Sequence, residues 1–81
     1  MINTKIKGVN VMKIRNNMHI VRESNGDTTL ISYTTPVAGV TADGQFRKLW
    51  NGYSATTMRH INDFRFMYGF DKLSKSEWVE L

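Results

Sequence analysis

Cysteine is absent from this chain of 81 residues, which excludes a disulfide framework and any thiolate metal site and fits a reducing compartment. Long apolar runs are missing too. Those present span a few residues, too short to cross a bilayer, and Met1 to Gly8 lacks the apolar centre of a signal peptide. No membrane partner is expected, and the expected location is the cytoplasm. Acidic side chains number 7 against 11 Lys and Arg, a formal charge of +4. That surplus argues against an acidic mimic of DNA and favours anionic partners through long-range steering. Internal repeats, low-complexity stretches and linkers are also absent, and a chain of this length forms one domain, 1–81. It buries only about 60% of its unfolded surface, which leaves little room for a deep, water-excluded active site.

What is present is enough to build a core: 41% hydrophobic residues against 22% charged, spread along the chain. Asn16-Asn17, Asn25-Gly26 and Asp43-Gly44 each sit between segments rich in Val, Ile, Thr or Tyr. Asn, Asp and Gly tolerate the positive φ of tight hairpin turns. Strands are expected over Val9 to Arg15, Met18 to Ser24, Thr28 to Val40 and Gln45 to Trp50. The third contains Pro36, which cannot donate to a ladder, and Gly39, which weakens one; the strand is expected to be bent, bulged or at a sheet edge from Thr35 onward. Such an edge would suit pairing with a second copy, so a homodimer is possible. Leu30, Ser32 and Thr34 alternate with Ile31 and Tyr33, and Phe46, Lys48 and Trp50 with Gln45, Arg47 and Leu49, so one sheet face is covered and the other wet.

After Trp50 the period changes from 2 to 3.6. A helix is expected over about 55–68, with Thr57, Ile61, Phe64 and Tyr68 facing the sheet, His60 and Met67 on one flank and Met58 and Arg65 on the other. Gly69 supplies a left-handed stop and Phe70 packs back on the last turn. In "LSKSEW", Ser74 and Glu77 form a capping box, with Leu73 and Trp78 as a hydrophobic staple, so a short helical turn starts at Lys75. The fold class is α+β: an antiparallel β-meander of about four to five strands, one packed α-helix and a short C-terminal helical turn.

Chemistry is sparse. Ser54, Thr56 and Thr57 at the helix start read as an N-cap, with an anion site near Gly52 as the functional alternative. His60 and Asp63 lie one turn apart, but Ser54 is roughly 9 Å along the axis from His60, too far for a nucleophile–base bond. With His19 they match no metal-ligand spacing. No catalytic residue, metal or cofactor is assigned, and the protein is not expected to be an enzyme. A nucleic-acid face is the better-supported alternative: Lys5, Lys7, Lys13 and Arg15 cluster early, Arg47 and Lys48 interleave with Phe46 and Trp50, and Arg59 and Arg65 lie on the helix. A helix-turn-helix is disfavoured because its reading helix would be about seven residues long and carry Glu77 and Glu80. On the outward helix face, Arg59, Asn62, Asp63 and Phe66 need either the tail, through Trp78 and Val79, or a protein partner to cover them.

"SYTTPVAGV" (Ser32 to Val40), "ADGQF" (Ala42 to Phe46) and "YSATTMRHINDF" (Tyr53 to Phe64) together resemble a small, uncharacterised domain of tailed-bacteriophage proteins. The resemblance covers under half of the chain. The segment through Asp27 and the Trp78 tail lie outside it. It implies a small α+β unit and attaches no activity to any residue. A phage setting implies an accessory protein that binds and modulates a host or defence-system complex in the host cytoplasm, as an inhibitor of the anti-CRISPR or anti-restriction kind. Arg59, Asn62, Phe66 and Trp78 are then the candidate protein interface, and Lys13, Arg15, Phe46, Arg47, Lys48 and Trp50 the candidate nucleic-acid face.

Overall fold

The computed structural model describes residues 10–81; Val9, Lys5 and Lys7 lie outside them. Five strands precede two helices: β1 (Asn10–Arg15), β2 (Met18–Arg22), β3 (Thr28–Ser32), β4 (Thr35–Val40), β5 (Phe46–Lys48), α1 (Ala55–Met67) and α2 (Lys75–Glu80). The strands form one antiparallel sheet in the order β1-β2-β3-β4-β5. It is the α+β meander that the turn signals and the change of period predict. Each of the three expected dipeptides carries a positive φ: 61° at Asn17, 95° at Gly26 and 94° at Gly44.

The register decides which side chains meet the helix. Met12, Ile20, Leu30, Ala38 and Lys48 run across all five strands as one row, and Asn10, Arg22, Thr28, Val40 and Phe46 as another on the same face. Ile20, Leu30 and Ala38 in the first row are fully buried, together with Met18 and, from α1, Ile61 and Phe64. The intervening row, Val11, Val21, Thr29, Gly39 and Arg47, faces the other way. Its side chains are exposed or half-buried apart from Gly39. Two layers, sheet and helix, thus enclose a single apolar cluster.

The expected long strand from Thr28 to Val40 is instead two strands. The chain reverses at Tyr33, which adopts φ 59°, and Tyr33 donates its backbone N–H to Asn17 at 2.7 Å. A left-handed tyrosine is uncommon, so no propensity rule marks a turn there. Pro36 does not create a sheet edge either, because β4 lies between β3 and β5. The proline sits just past a bulge, opposite Ile31 and beyond the reach of β5, which pairs with Ala38, Gly39 and Val40. The missing N–H therefore costs little. The outer strands are β1 and β5, which removes the structural reason for pairing a second copy through the Pro36 strand.

Helix α1 starts and stops where its caps dictate. Ser54 Oγ accepts the Thr57 N–H at 3.1 Å; at the other end Gly69 has φ 85°, and its N–H and that of Phe70 donate to Phe66 and Arg65 at 3.2 and 2.8 Å. This is a Schellman closure. Tyr68 is the cap rather than the last helical residue. The capping box of α2 is complete: Glu77 N–H donates to Ser74 Oγ and Ser74 N–H to Glu77 Oε1. The Ser74 backbone and hydroxyl hold the Glu77 carboxyl below its usual range. Among the described residues no helix is long and apolar enough to cross a membrane.

Six residues of helix are too few to stand alone, so α2 depends on Trp78. The indole is fully buried and its Nε1–H donates to Gly52 at 2.9 Å. Trp78→Ala is expected to cost about 3–5 kcal/mol, lowering the midpoint of thermal unfolding by more than about 10 °C. Trp78→Phe, which loses the hydrogen bond but keeps most of the volume, should fall between the variant and the parent. Equal midpoints for Trp78→Ala and the parent would show that the tail is not part of the core.

Candidate functional site

His60, the centre of the chemistry read from the sequence, is buried. Its Nδ1 lies 2.8 Å from Ser32 Oγ, and Ser32 Oγ lies 3.0 Å from Thr57 Oγ1. The serine beside the imidazole is thus the one at the end of β3, not the cap residue Ser54. Ser32 shares the alternation with Leu30, but nothing in its local sequence names its partner across α1. A serine and histidine at this distance have nucleophile–base geometry, yet Ser32 and His60 are 2% and 3% exposed. The serine hydroxyl lies beneath the helix, where a substrate carbonyl has no approach. The arrangement is that of hydrogen-bonded polar groups in a small core: in the tautomer with the proton on Nε2, Ser32 donates to Nδ1 and is free to accept from Thr57.

Asp63 does not orient this imidazole. It turns to Arg15, with Oδ2 2.8 Å from Nη2 but without hydrogen-bond alignment. Burial lowers the His60 pKa, Arg15 and Arg59 lower it further, and Asp63 opposes them. His19 pairs opposite Lys13 and Ile31 on the uncovered sheet face, so the sheet separates it from His60. Among the described residues no three His, Asp or Glu side chains gather as metal ligands.

The helix start is capped by Ser54. Ser54 Oγ is taken by the Thr57 N–H, Thr57 Oγ1 by Ser32, and Thr56 points to solvent. The carbonyl of Gly52 accepts from Trp78, and an ideal Cβ on Gly52 would stand 2.4 Å from the Trp50 ring. Gly52 is therefore packed between two tryptophans, and of the three hydroxyls read as a possible anion site Thr56 is the one outside these bonds.

The basic and aromatic set is likewise dispersed. Lys13 and Arg47 share the uncovered face, but on β1 and β5, about 19 Å apart at ordinary strand spacing. Arg15 and Lys48 belong to the helix side. Lys48 Nζ donates to the Trp78 carbonyl at 2.8 Å and lies 5.0 Å from the Trp78 ring centre. Phe46 is covered by the Arg65 guanidinium at 4.5 Å and packs on Phe70 at 5.8 Å; Trp50 is half-buried against Gly52. On the uncovered face, a shallow depression of about 250 Å³ beside Glu23, Thr29, Arg47 and Leu49 mixes charges of both signs.

The outward helix face resolves into parts. Asn62 is a clasp: its Oδ1 accepts the Leu73 N–H at 2.8 Å and its Nδ2 donates to the Leu73 carbonyl at 3.0 Å. Trp78 is core and does not cover Phe66. Both therefore leave the candidate interface. Phe66 is 79% exposed, and Arg59, two turns earlier on the same stripe, is exposed too.

With this geometry in hand, comparison with known proteins gives one result. Residues 3–80 match a family of unknown function, DUF8033. The chain belongs to this family. No curated protein and no solved structure matches it. The DUF8033 match spans both the segment before Asp27 and the Trp78 tail, so these belong to the family unit along with Ser32 to Phe64.

The buried network has a measurable consequence in acid. The unfolded chain protonates His60 at its ordinary value of 6.5, while the folded chain resists until a lower pH. Stability is therefore full above pH 6.5 and falls as pH drops from there toward the folded value. His60→Asn, which keeps an acceptor near Ser32 and cannot charge, should flatten the denaturant midpoint between pH 7.5 and 5.5. An equal acid loss in parent and variant would assign the slope to other groups. The Glu77 contribution lies in a separate window, present above 4.5 and lost below it.

Proposed function

We propose that the protein acts by binding rather than catalysis, as a small accessory protein whose α1 face at Arg59 and Phe66 engages another protein. The observation that carries this reading is Phe66, 79% exposed on a regular helix whose C-terminal neighbour is committed elsewhere. A phenylalanine in that position forgoes the free energy of burial, and an exposed aromatic near an arginine is the usual make-up of an interface anchor. The tailed-phage resemblance of Ser32 to Phe64 supports a partner among host or defence proteins, met in the host cytoplasm. Direct nucleic-acid binding has less support, since of its six candidate residues Lys13 and Arg47 alone are both exposed and free of the packing that holds the others.

Affinity capture from cells producing the protein should return a stoichiometric protein, and Phe66→Ala with Arg59→Glu should weaken that capture at least about tenfold while leaving thermal stability within a few degrees. Retention of the same partner by the double variant would overturn the assignment of the face. For the nucleic-acid alternative, binding to single- or double-stranded DNA at about 50 mM salt should fall linearly on a log–log salt plot and depend on Lys13 and Arg47. Absence of binding at that salt eliminates it.

A further inference from the structure

Between the first turns of α1 and the segment that leads into α2 lies an open depression of about 330 Å³, with Tyr53, Arg59, Lys72 and Lys75 on its walls. Its volume is in the range of small-molecule sites. Asp63 is the carboxylate on its lining, and Asp63 is paired with Arg15 at 2.8 Å. Among the described residues, Arg59, Lys72 and Lys75 have no carboxylate within ion-pairing distance. The first turn of α1 adds no acid of its own. Three cations around one depression repel each other unless an anion joins them.

The backbone beside Lys72 and the side chain of Lys75 are also held in place. The Asn62 clasp on the Leu73 backbone fixes the segment that carries Lys72, and Lys75 Nζ rests 4.7 Å from the centre of the Tyr53 ring. Apolar atoms of Met58 and Leu73 complete the lining. We propose that this depression is a binding site for a small phosphate monoester, in which Arg59, Lys72 and Lys75 hold the phosphate and the Tyr53 side accommodates the organic part. Arginine matches phosphate oxygens in a fork and lysines neutralise the remaining charge, which is how proteins commonly hold this dianion. The site shares Arg59 with the partner face, but Lys72 and Lys75 lie outside the Phe66 stripe, so the lysine variant and Phe66→Ala test the two readings separately.

The test is a titration of the full chain, followed by two-dimensional amide NMR, with inorganic phosphate, adenosine 5′-monophosphate, adenosine and sodium chloride of matched ionic strength. Saturable shifts at Tyr53, Arg59, Lys72 and Lys75 are expected with the monophosphate, weaker ones with inorganic phosphate. Adenosine and chloride should give none. Lys72→Glu with Lys75→Glu, two exposed positions, should weaken the monophosphate at least about tenfold, whereas Phe66→Ala should leave it unchanged. Stronger binding of inorganic phosphate than of the monophosphate would keep the anion site and remove the organic subsite. No saturable shift with either phosphate, shifts reproduced by chloride, or unchanged affinity in the double variant would overturn the proposal.

Discussion

The structure depends on the insertion of Trp78 between the sheet and the Gly52 loop. A sheet of five strands with one helix leaves the β5 end of the core open, and the ring system that closes it comes from the last turn of the chain. Burying an indole of 150–250 Å² contributes on the order of 4–6 kcal/mol, a large share of what a domain of this size has. The indole also fixes three other features. Its N–H holds Gly52, against which Trp50 is stacked; its backbone carbonyl takes the Lys48 ammonium; and its helix brings Lys75 over Tyr53. Lys48 falls on the core-facing row by register, and that bond is what makes a lysine tolerable there.

A second set of contacts ties the connection between the helices to α1. Asn62 substitutes for a neighbouring strand by pairing with both backbone groups of Leu73. Arg65 donates to the Asp71 carbonyl at 2.6 Å while lying between Phe46 and Phe70, at 4.5 and 5.2 Å from their ring centres. Burial lowers the Arg65 pKa and Asp71 opposes it. Residues that looked available for a partner, read along the helix alone, are thereby spent inside the fold. Arg59, Phe66, Lys72 and Lys75 remain outside, and the proposed binding face and the proposed phosphate site rest on them.

Elements governed by local rules were legible in the sequence. The three Asn or Gly turns, the Ser54 cap, the Gly69 stop and the Ser74–Glu77 box each need a few adjacent residues, and all six stand where those residues put them. The misreadings share a different cause. The Tyr33 reversal requires a residue against its own preference, held by a bond to Asn17 fifteen or so positions earlier. Ser32 meets His60, Asn62 meets Leu73, and Trp78 meets Gly52 across separations that periodicity does not encode. A helical wheel sorts residues into inward and outward, and Asn62 is outward in that sense; whether another segment then covers it depends on where the chain goes next.

Two kinds of polar group lie at α1. The Ser32 and Thr57 hydroxyls and His60 Nδ1 are hydrogen-bonded to one another, and mutual satisfaction of this kind stabilises a small core without requiring a ligand. The cations of the depression beside them are not closed: each ends in solvent or on a ring face, and the one acid among them belongs to Arg15. The proposed functions rest on groups whose partners are missing from the fold. By that criterion His60 belongs to the fold, while Phe66 and the Arg59–Lys72–Lys75 group are directed outward.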